Sequence, residues 1–171
     1  MTGIANQYAL AVFSLASKEK RDEEFLTVLE TFVKGMNENT YKFFAHPKIS
    51  ILEKKQTLEK VVYDKLLLNF LKVLIDNDRF ALVEAISLEY KNILDNLNKI
   101  MNVVVVSNKP LKKNNLDKIK NKLKEKYNRK IQIEETIDKD IIGGFRIEFE
   151  GNVIDETINK QLNDIKSSLT E

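Results

Sequence analysis

The chain has 171 residues, of which 43% are hydrophobic and 32% charged, with a formal net charge of +2. That length suits one medium domain or two small ones with real cores, and so balanced a charge selects no partner by itself. No cysteine is present, which excludes disulfides, zinc thiolate sites and a thiol nucleophile, and fits a reducing compartment.

The N-terminus lacks the charged start, apolar run and cleavage site of a signal peptide. The densest apolar stretch, Leu66 to Ile75, is too short to span a bilayer. The expectation is a soluble or at most peripheral protein.

The first hundred or so residues read as helices. Ile4, Tyr8, Val12, Leu15 and Ala16 form a stripe that Ala5, Ala9, Leu10, Ala11 and Phe13 widen. From about Asp22, the residues Phe25, Leu26, Leu29, Phe32, Val33 and Met36 follow helical spacing. A short helix over Thr40 to Ala45 is stopped by Pro47. Ser50 and Glu53 form a capping box that opens the next helix. Leu66 to Ile75 is a fifth helix. Asn77-Asp78 breaks the chain and caps a sixth, in which Val83, Ile86, Tyr90, Ile93, Leu97 and Ile100 share a face.

Near Met101 the texture changes. Val103 to Val106 is a β-branched run typical of a strand. Leu116, Ile119, Leu123 and Tyr127 mark one face of a helix, and Ile131, Ile133 and Ile137 alternate with polar residues as a second strand. Phe145, Ile147 and Phe149 alternate with Arg146, Glu148 and Glu150; Gly151-Asn152 signals a tight turn, and Val153-Ile154 starts the return strand. Asp155 reads as the N-cap of a closing helix carrying Ile158, Leu162, Ile165 and Leu169. Gly143 and Gly144 read as backbone geometry, permitting positive φ or close strand approach. The expected fold is α+β overall: an N-terminal all-α six-helix bundle over residues 1–101, then a small α+β domain over 102–171 with a short mixed sheet.

Two helices carry more apolar surface than a small bundle needs. The first, and that from Leu66 to Ile75, are apolar nearly all round, as helices are when fully buried or when one face meets a partner. Periodicity leaves both possibilities open: a central pair of core helices, or a groove that accepts a helix from another chain.

Catalytic chemistry has no foothold. His46 is the only histidine and stands in no constellation of ligands, and one histidine cannot support a Ser/His/Asp arrangement. Glu134, Glu135, Asp138 and Asp140 match no calcium loop and read as a solvated turn. Gly143-Gly144 lacks the Gly-Lys-Ser/Thr of a phosphate loop. No enzyme, metal or cofactor is expected. The alternative function is nucleic-acid binding by the lysine-rich helix over residues 112–130, but Tyr127 is its only aromatic residue, which is poor equipment for stacking on bases.

Several segments together resemble the delta subunit family of F-type ATP synthases, the equivalent of the mitochondrial oligomycin-sensitivity-conferring subunit. Tyr8 to Ala16 is similar to its Tyr-Ala-x-Ala-Leu-Phe-x-x-Ala opening, and Pro47-Lys48-Ile49 with Lys55 to its Pro-x-Ile and following lysine. Phe70-Leu71, Asn77, Arg79 and Tyr90 fit one run, and Val106 to Leu111 another, with Asn108 where alanine is usual. Asp138 with Ile141 to Gly144 resembles its Asp-x-x-(Leu/Ile)-Ile-Gly-Gly, followed by Val153-Ile154-Asp155. Lys139 departs from the proline of many members, which should loosen a turn.

The resemblance implies a non-catalytic stator subunit that links the alpha/beta catalytic head to the b subunits of the peripheral stalk. Rotary proton transport would thereby couple to ATP synthesis. The helical domain would hold the N-terminal helix of an alpha subunit in a groove between its first and fifth helices, with Tyr8, Ala11, Val12, Leu15, Leu71, Leu74 and Ile75 lining or bordering it. The closing helix, through Ile158, Leu162 and Ile165, would meet the C-terminal region of the b subunits. Membrane association would come only through the complex, at the cytoplasmic face of a bacterial plasma membrane, with no nucleic acid involved.

Overall fold

The computed structural model describes residues 2–162. By its internal contacts the chain divides into two compact units, Met1–Leu94 and Asp95–Glu171.

The first unit is helical. It contains α1 (Thr2–Lys18), α2 (Asp22–Gly35), α3 (Glu38–Ala45), α4 (Ile51–Val61) and α5 (Lys65–Asp76), a 3-10 turn at Phe80–Leu82, and most of α6 (Val83–Leu97). Local chemistry starts each helix. Asp22, Glu23 and Glu24 fill the first turn of α2, where carboxylates complement the helix dipole. The Asn37 side chain accepts from the Thr40 N–H at the start of α3. Ser50 and Glu53 form the expected capping box on α4. Asp64 caps α5 by accepting from the Leu67 N–H at 2.8 Å.

Two expectations at helix ends are corrected. Asn77 and Asp78 do not cap α6: Asn77 ends α5, its side-chain amide donating to the Val73 carbonyl, and the 3-10 turn intervenes before Val83. Nor does α6 reach Ile100. It stops at Leu97 because Lys99 adopts the left-handed region (φ +53°), and Ile100 opens the first strand.

The core of this unit gathers Ala5, Ala9, Val12 and Ala16 of α1 with Phe25 and Leu29, Leu58, the inner face of α5, and Val83, Ile86 and Tyr90. Phe25 and Phe13 both pack on the Tyr90 ring, with centroids 5.3 and 5.5 Å away. The Tyr90 hydroxyl donates to the Asp22 carbonyl at 3.1 Å, so its one buried polar group is satisfied. Burial holds this phenol protonated well above its usual range.

The second unit is a four-stranded mixed sheet with one long helix. In sequence it runs β1 (Ile100–Ser107), α7 (Lys113–Tyr127), β2 (Lys130–Ile137), β3 (Phe145–Phe149) and β4 (Asn152–Asp155), in the spatial order β2-β1-β3-β4. β1 pairs parallel with β2 through the α7 crossover, and antiparallel with β3. Met101, Val103 and Val105 share one face of β1 and pack with Ile131, Ile147, Phe149 and the Ile119–Leu123 face of α7. Asn128, in the left-handed region at φ +53°, ends α7 and donates its N–H to the Lys124 carbonyl.

The hairpin turn lies one residue earlier than its sequence signal. Phe149 pairs with Asn152, so the turn residues are Glu150 and Gly151, at φ +45° and +79°. A turn at Gly151-Asn152 would instead set Ile154 opposite Phe149, whereas the observed register sets it opposite Ile147, where it packs against the core.

Candidate functional site

In α1 the residues divide into two stripes. Ala5, Ala9, Val12 and Ala16, spaced four, three and four apart, are all buried at 1% exposure or less. Ile4, Tyr8, Ala11 and Leu15 repeat the same spacing one position earlier and face outward. Ile4 is 40% and Leu15 50% exposed, Tyr8 is half-buried and Ala11 exposed. Small side chains on the inner stripe let α1 lie close to its neighbours, while larger apolar ones are left at the surface. That leaves Ile4, Ala11 and Leu15 exposed on one apolar face of α1, with Tyr8 partly packed against the core.

Of the seven residues expected to line or border a groove, the structure leaves Tyr8, Ala11 and Leu15 on this outward face. Val12, Leu71 and Leu74 are at 0–1% exposure in the core, and Ile75 is at 6%. Ala9, between Tyr8 and Ala11 on the helix, is at 0% and also serves the core. The reason is geometric: α5 packs inward over a wide arc through Leu67, Phe70, Leu71, Leu74 and Ile75. Ile4 belongs to the outward set, and the regular recurrence of Ala5, Ala9 and Ala16 was the signal that could have separated the stripes.

Arg21 ties the start of α2 to the start of α5. Its guanidinium bonds Glu24 through two nitrogens at 3.0 and 2.8 Å and reaches Asp64 at 2.6 Å. Burial pushes the Asp64 carboxyl up, but the Leu67 N–H and the Arg21 cation outweigh it and hold the carboxyl below the usual range. Glu24 is held low by the same arginine. This network is structural, since its polar groups face one another.

In the second unit, Ile158 and Leu162 are 43% and 52% exposed on a helical segment at residues 158–162, and Ile142 nearby in sequence to the glycine pair is 65% exposed. Ile165 lies outside the described residues. The segment is fixed to the preceding loop. The Ile158 N–H donates to the Gly143 carbonyl, the Asn159 side chain accepts from the Ile142 N–H at 2.9 Å, and its amide donates to the Asp140 carbonyl. Nothing in the sequence pattern singled out Asn159.

Gly144 sits at φ +83°, and a Cβ there would stand 2.3 Å from the Glu156 carbonyl oxygen. Gly143 faces the Ile158 side chain. Asp155 is the last residue of β4, and the helix cap is Thr157, whose hydroxyl accepts from the Lys160 N–H. Asp155 acts one step earlier. Its carboxylate accepts from the Thr157 N–H at 2.9 Å, closing an Asx turn, and Thr157 holds its carboxyl below the usual range. The correction follows from β4, whose pairing with β3 keeps Asp155 extended opposite Arg146.

Asp138 anchors the turn that carries Lys139: its N–H donates to the Ser107 carbonyl and its carboxylate accepts from the Asp140 N–H. Glu135 accepts from the Leu111 N–H. His46 Nδ1 accepts from the Lys48 N–H in an exposed loop. Among the described residues no group of three His, Cys, Asp or Glu is placed to hold a metal ion, and no helix is long and apolar enough to cross a membrane. On α7, Tyr127 packs edge-on against Phe149 with centroids 5.4 Å apart, so its ring is engaged in the core rather than offered to bases.

The family model for "ATP synthase delta (OSCP) subunit" matches residues 4–169. The chain belongs to the ATP synthase delta (OSCP) subunit family. A relative named ATP synthase subunit delta from Clostridioides difficile (strain 630) is 34% identical, over 98% of this chain and 96% of its own length. One from Clostridium botulinum (strain Langeland) is 34% identical, over 95% and 94%. A chain in the mitochondrial ATP synthase hexamer of Toxoplasma gondii superposes with a TM-score of 0.69 over 98% of this chain and 97% of that one. At 19% identity that likeness shows the fold alone.

Proposed function

We propose that this chain is a non-catalytic stator subunit of an F-type ATP synthase, tying the alpha/beta head to the b subunits of the peripheral stalk. Such a tie holds the head against the torque of the central rotor, so that proton transport drives ATP synthesis. The observation that carries the reading is membership of the delta family over residues 4–169, joined to an apolar helix face that its own fold leaves open.

The N-terminal helix of an alpha subunit docks on the outward stripe of α1, with Ile4, Tyr8, Ala11 and Leu15 as the contact row. Apolar anchors at three- and four-residue spacing are what a helix-on-helix contact requires. Val12, Leu71, Leu74 and Ile75 lie in the core of the same unit. The b subunits meet the C-terminal unit, where Ile142, Ile158 and Leu162 are exposed and Asn159 staples their two segments together. The helical domain thus serves the head, the α+β domain the stalk, and the protein reaches the cytoplasmic face of the membrane through the complex.

Calorimetric titration with a synthetic peptide of the alpha subunit's N-terminal segment tests the docking row. Leu15→Asp and Tyr8→Asp should lose binding while keeping native helicity. Leu10→Asp, on another exposed side of α1, should bind as the wild type does. Equal binding by all variants would remove α1 as the docking face, and no binding by folded wild type would remove the alpha-subunit contact. Leu71 is unsuited to this test, because at 0% exposure a charge there attacks the fold.

A further inference from the structure

The helical unit holds a second feature, remote in sequence from the α1 face. A cavity of about 730 Å³ opens between α2, α3, α4 and the start of α5. Its apolar walls include Val28, Phe32, Met36, Phe44, Leu58 and Val61, and no residue of α1 contributes. That volume lies within the range of small-molecule sites, about 300–1,000 Å³.

The polar groups of its wall decide what it accepts. Thr27, Thr31, Thr40 and Thr57 line it, and each hydroxyl is already used. Thr27 donates to the Glu23 carbonyl, Thr31 to the Thr27 carbonyl, Thr57 to the Glu53 carbonyl and Thr40 to the Asn37 side chain. Each hydroxyl proton is thereby spent inside the fold, so these threonines offer methyl groups and acceptor lone pairs but no donor. Asp64, the one ionisable carboxyl in the wall, is engaged by Arg21 at 2.6 Å and by the Leu67 N–H. Tyr63, at 89% exposure, stands in solvent at the rim. The wall contains no lysine or arginine. A charged ligand entering it would lose its water without gaining a counter-charge, whereas an apolar one loses nothing.

We propose that this cavity is a binding site for an uncharged, largely apolar small molecule. Its size exceeds that of one side chain, which favours a ligand of two or three fused or linked rings. Met36 and Phe32 supply adaptable wall surface. Such a ligand wedges between α2 and α4 and, by binding only the folded form, stabilises the helical unit. This reading is independent of the stator function.

The test uses the full chain and two fluorescent probes that differ by one sulfonate: N-phenyl-1-naphthylamine, which is neutral, and 8-anilinonaphthalene-1-sulfonate. The neutral probe should bind saturably at one per chain and at least tenfold more tightly than the anionic one. Two variants block the cavity. Thr57→Phe fills it from α4, and Gly35→Phe fills it from the end of α2, where an added Cβ meets nothing within 4 Å. Each, shown to be folded by circular dichroism, should weaken the neutral probe at least tenfold. Leu15→Asp, on α1, should leave probe binding unchanged even as it abolishes alpha-peptide binding. No saturable binding, equal affinity for the two probes, or folded blocking variants that bind as the wild type does would each overturn the proposal.

Discussion

Gly144→Ala and Gly143→Ala, one methyl group each at adjacent positions, should behave very differently. At Gly144 the backbone is at φ +83°, where an L side chain costs roughly 1–2 kcal/mol before any contact is considered. The added Cβ also stands 2.3 Å from the Glu156 carbonyl oxygen and 3.0 Å from the Thr157 Cα. Both are backbone atoms, fixed by the Glu156 N–H bond to the Phe145 carbonyl and by the Asx turn at Asp155. The clash is relieved only by moving that segment. The total loss should be about 3 kcal/mol, after the small offset from a stiffer unfolded chain. At Gly143 the new methyl meets only the tip of a flexible side chain, Ile158 Cδ1 at 2.8 Å. Rotation of Ile158 relieves it, and the unfolded-state gain of about 0.4–1 kcal/mol offsets the remainder, so the net change should be under about 1 kcal/mol. Hydrogen exchange at the Ile158 and Glu156 amides, read alongside urea unfolding, isolates this region from the helical unit. Ile158→Val should rescue Gly143→Ala and leave Gly144→Ala unrescued. Wild-type protection and stability in Gly144→Ala would refute the argument, since neither the φ penalty nor the backbone clash could then be real.

Three further outcomes concern stability. Asp64→Asn weakens both the α5 cap and the Arg21 contact and should cost about 2 kcal/mol at neutral pH in urea unfolding. Because the folded-state carboxyls of Asp64, Glu24, Glu53 and Asp155 are held low, the stability they contribute is fully present above their unfolded values and is lost as pH falls through the folded ones. Wild-type stability should therefore fall below about pH 4.5, and the fall should be shallower in Asp64→Asn. Lys20→Gly should stabilise the chain by about 0.5–1 kcal/mol, because Lys20 occupies the left-handed region between α1 and α2 with its side chain exposed. A lower thermal midpoint in that variant would contradict the cap geometry.

The sequence by itself determined the order and type of the elements, because those rest on local rules. The Ser50–Glu53 capping box, the β-branched run after Asn102 and the alternation of Phe145, Ile147 and Phe149 each encode their own conformation within a few residues. The order of its motifs also carried the family. What periodicity could not supply was direction. In α1 the stripes led by Ile4 and by Ala5 share one spacing; the run of small residues in the second hinted at the inner side, and the packing of neighbouring helices placed it there. Leu71, Leu74 and Ile75 turned inward for the same reason, since the face a helix presents depends on what packs against it. The turn at Glu150-Gly151, one residue before the Gly151-Asn152 signal, likewise appears only in the pairing of β3 with β4. Contacts between residues far apart in sequence, such as Arg21 with Asp64, leave no mark on local pattern. The exposed row on α1 and the spent hydroxyl donors of the cavity between α2 and α4 could be recognised only once the chain had folded around them.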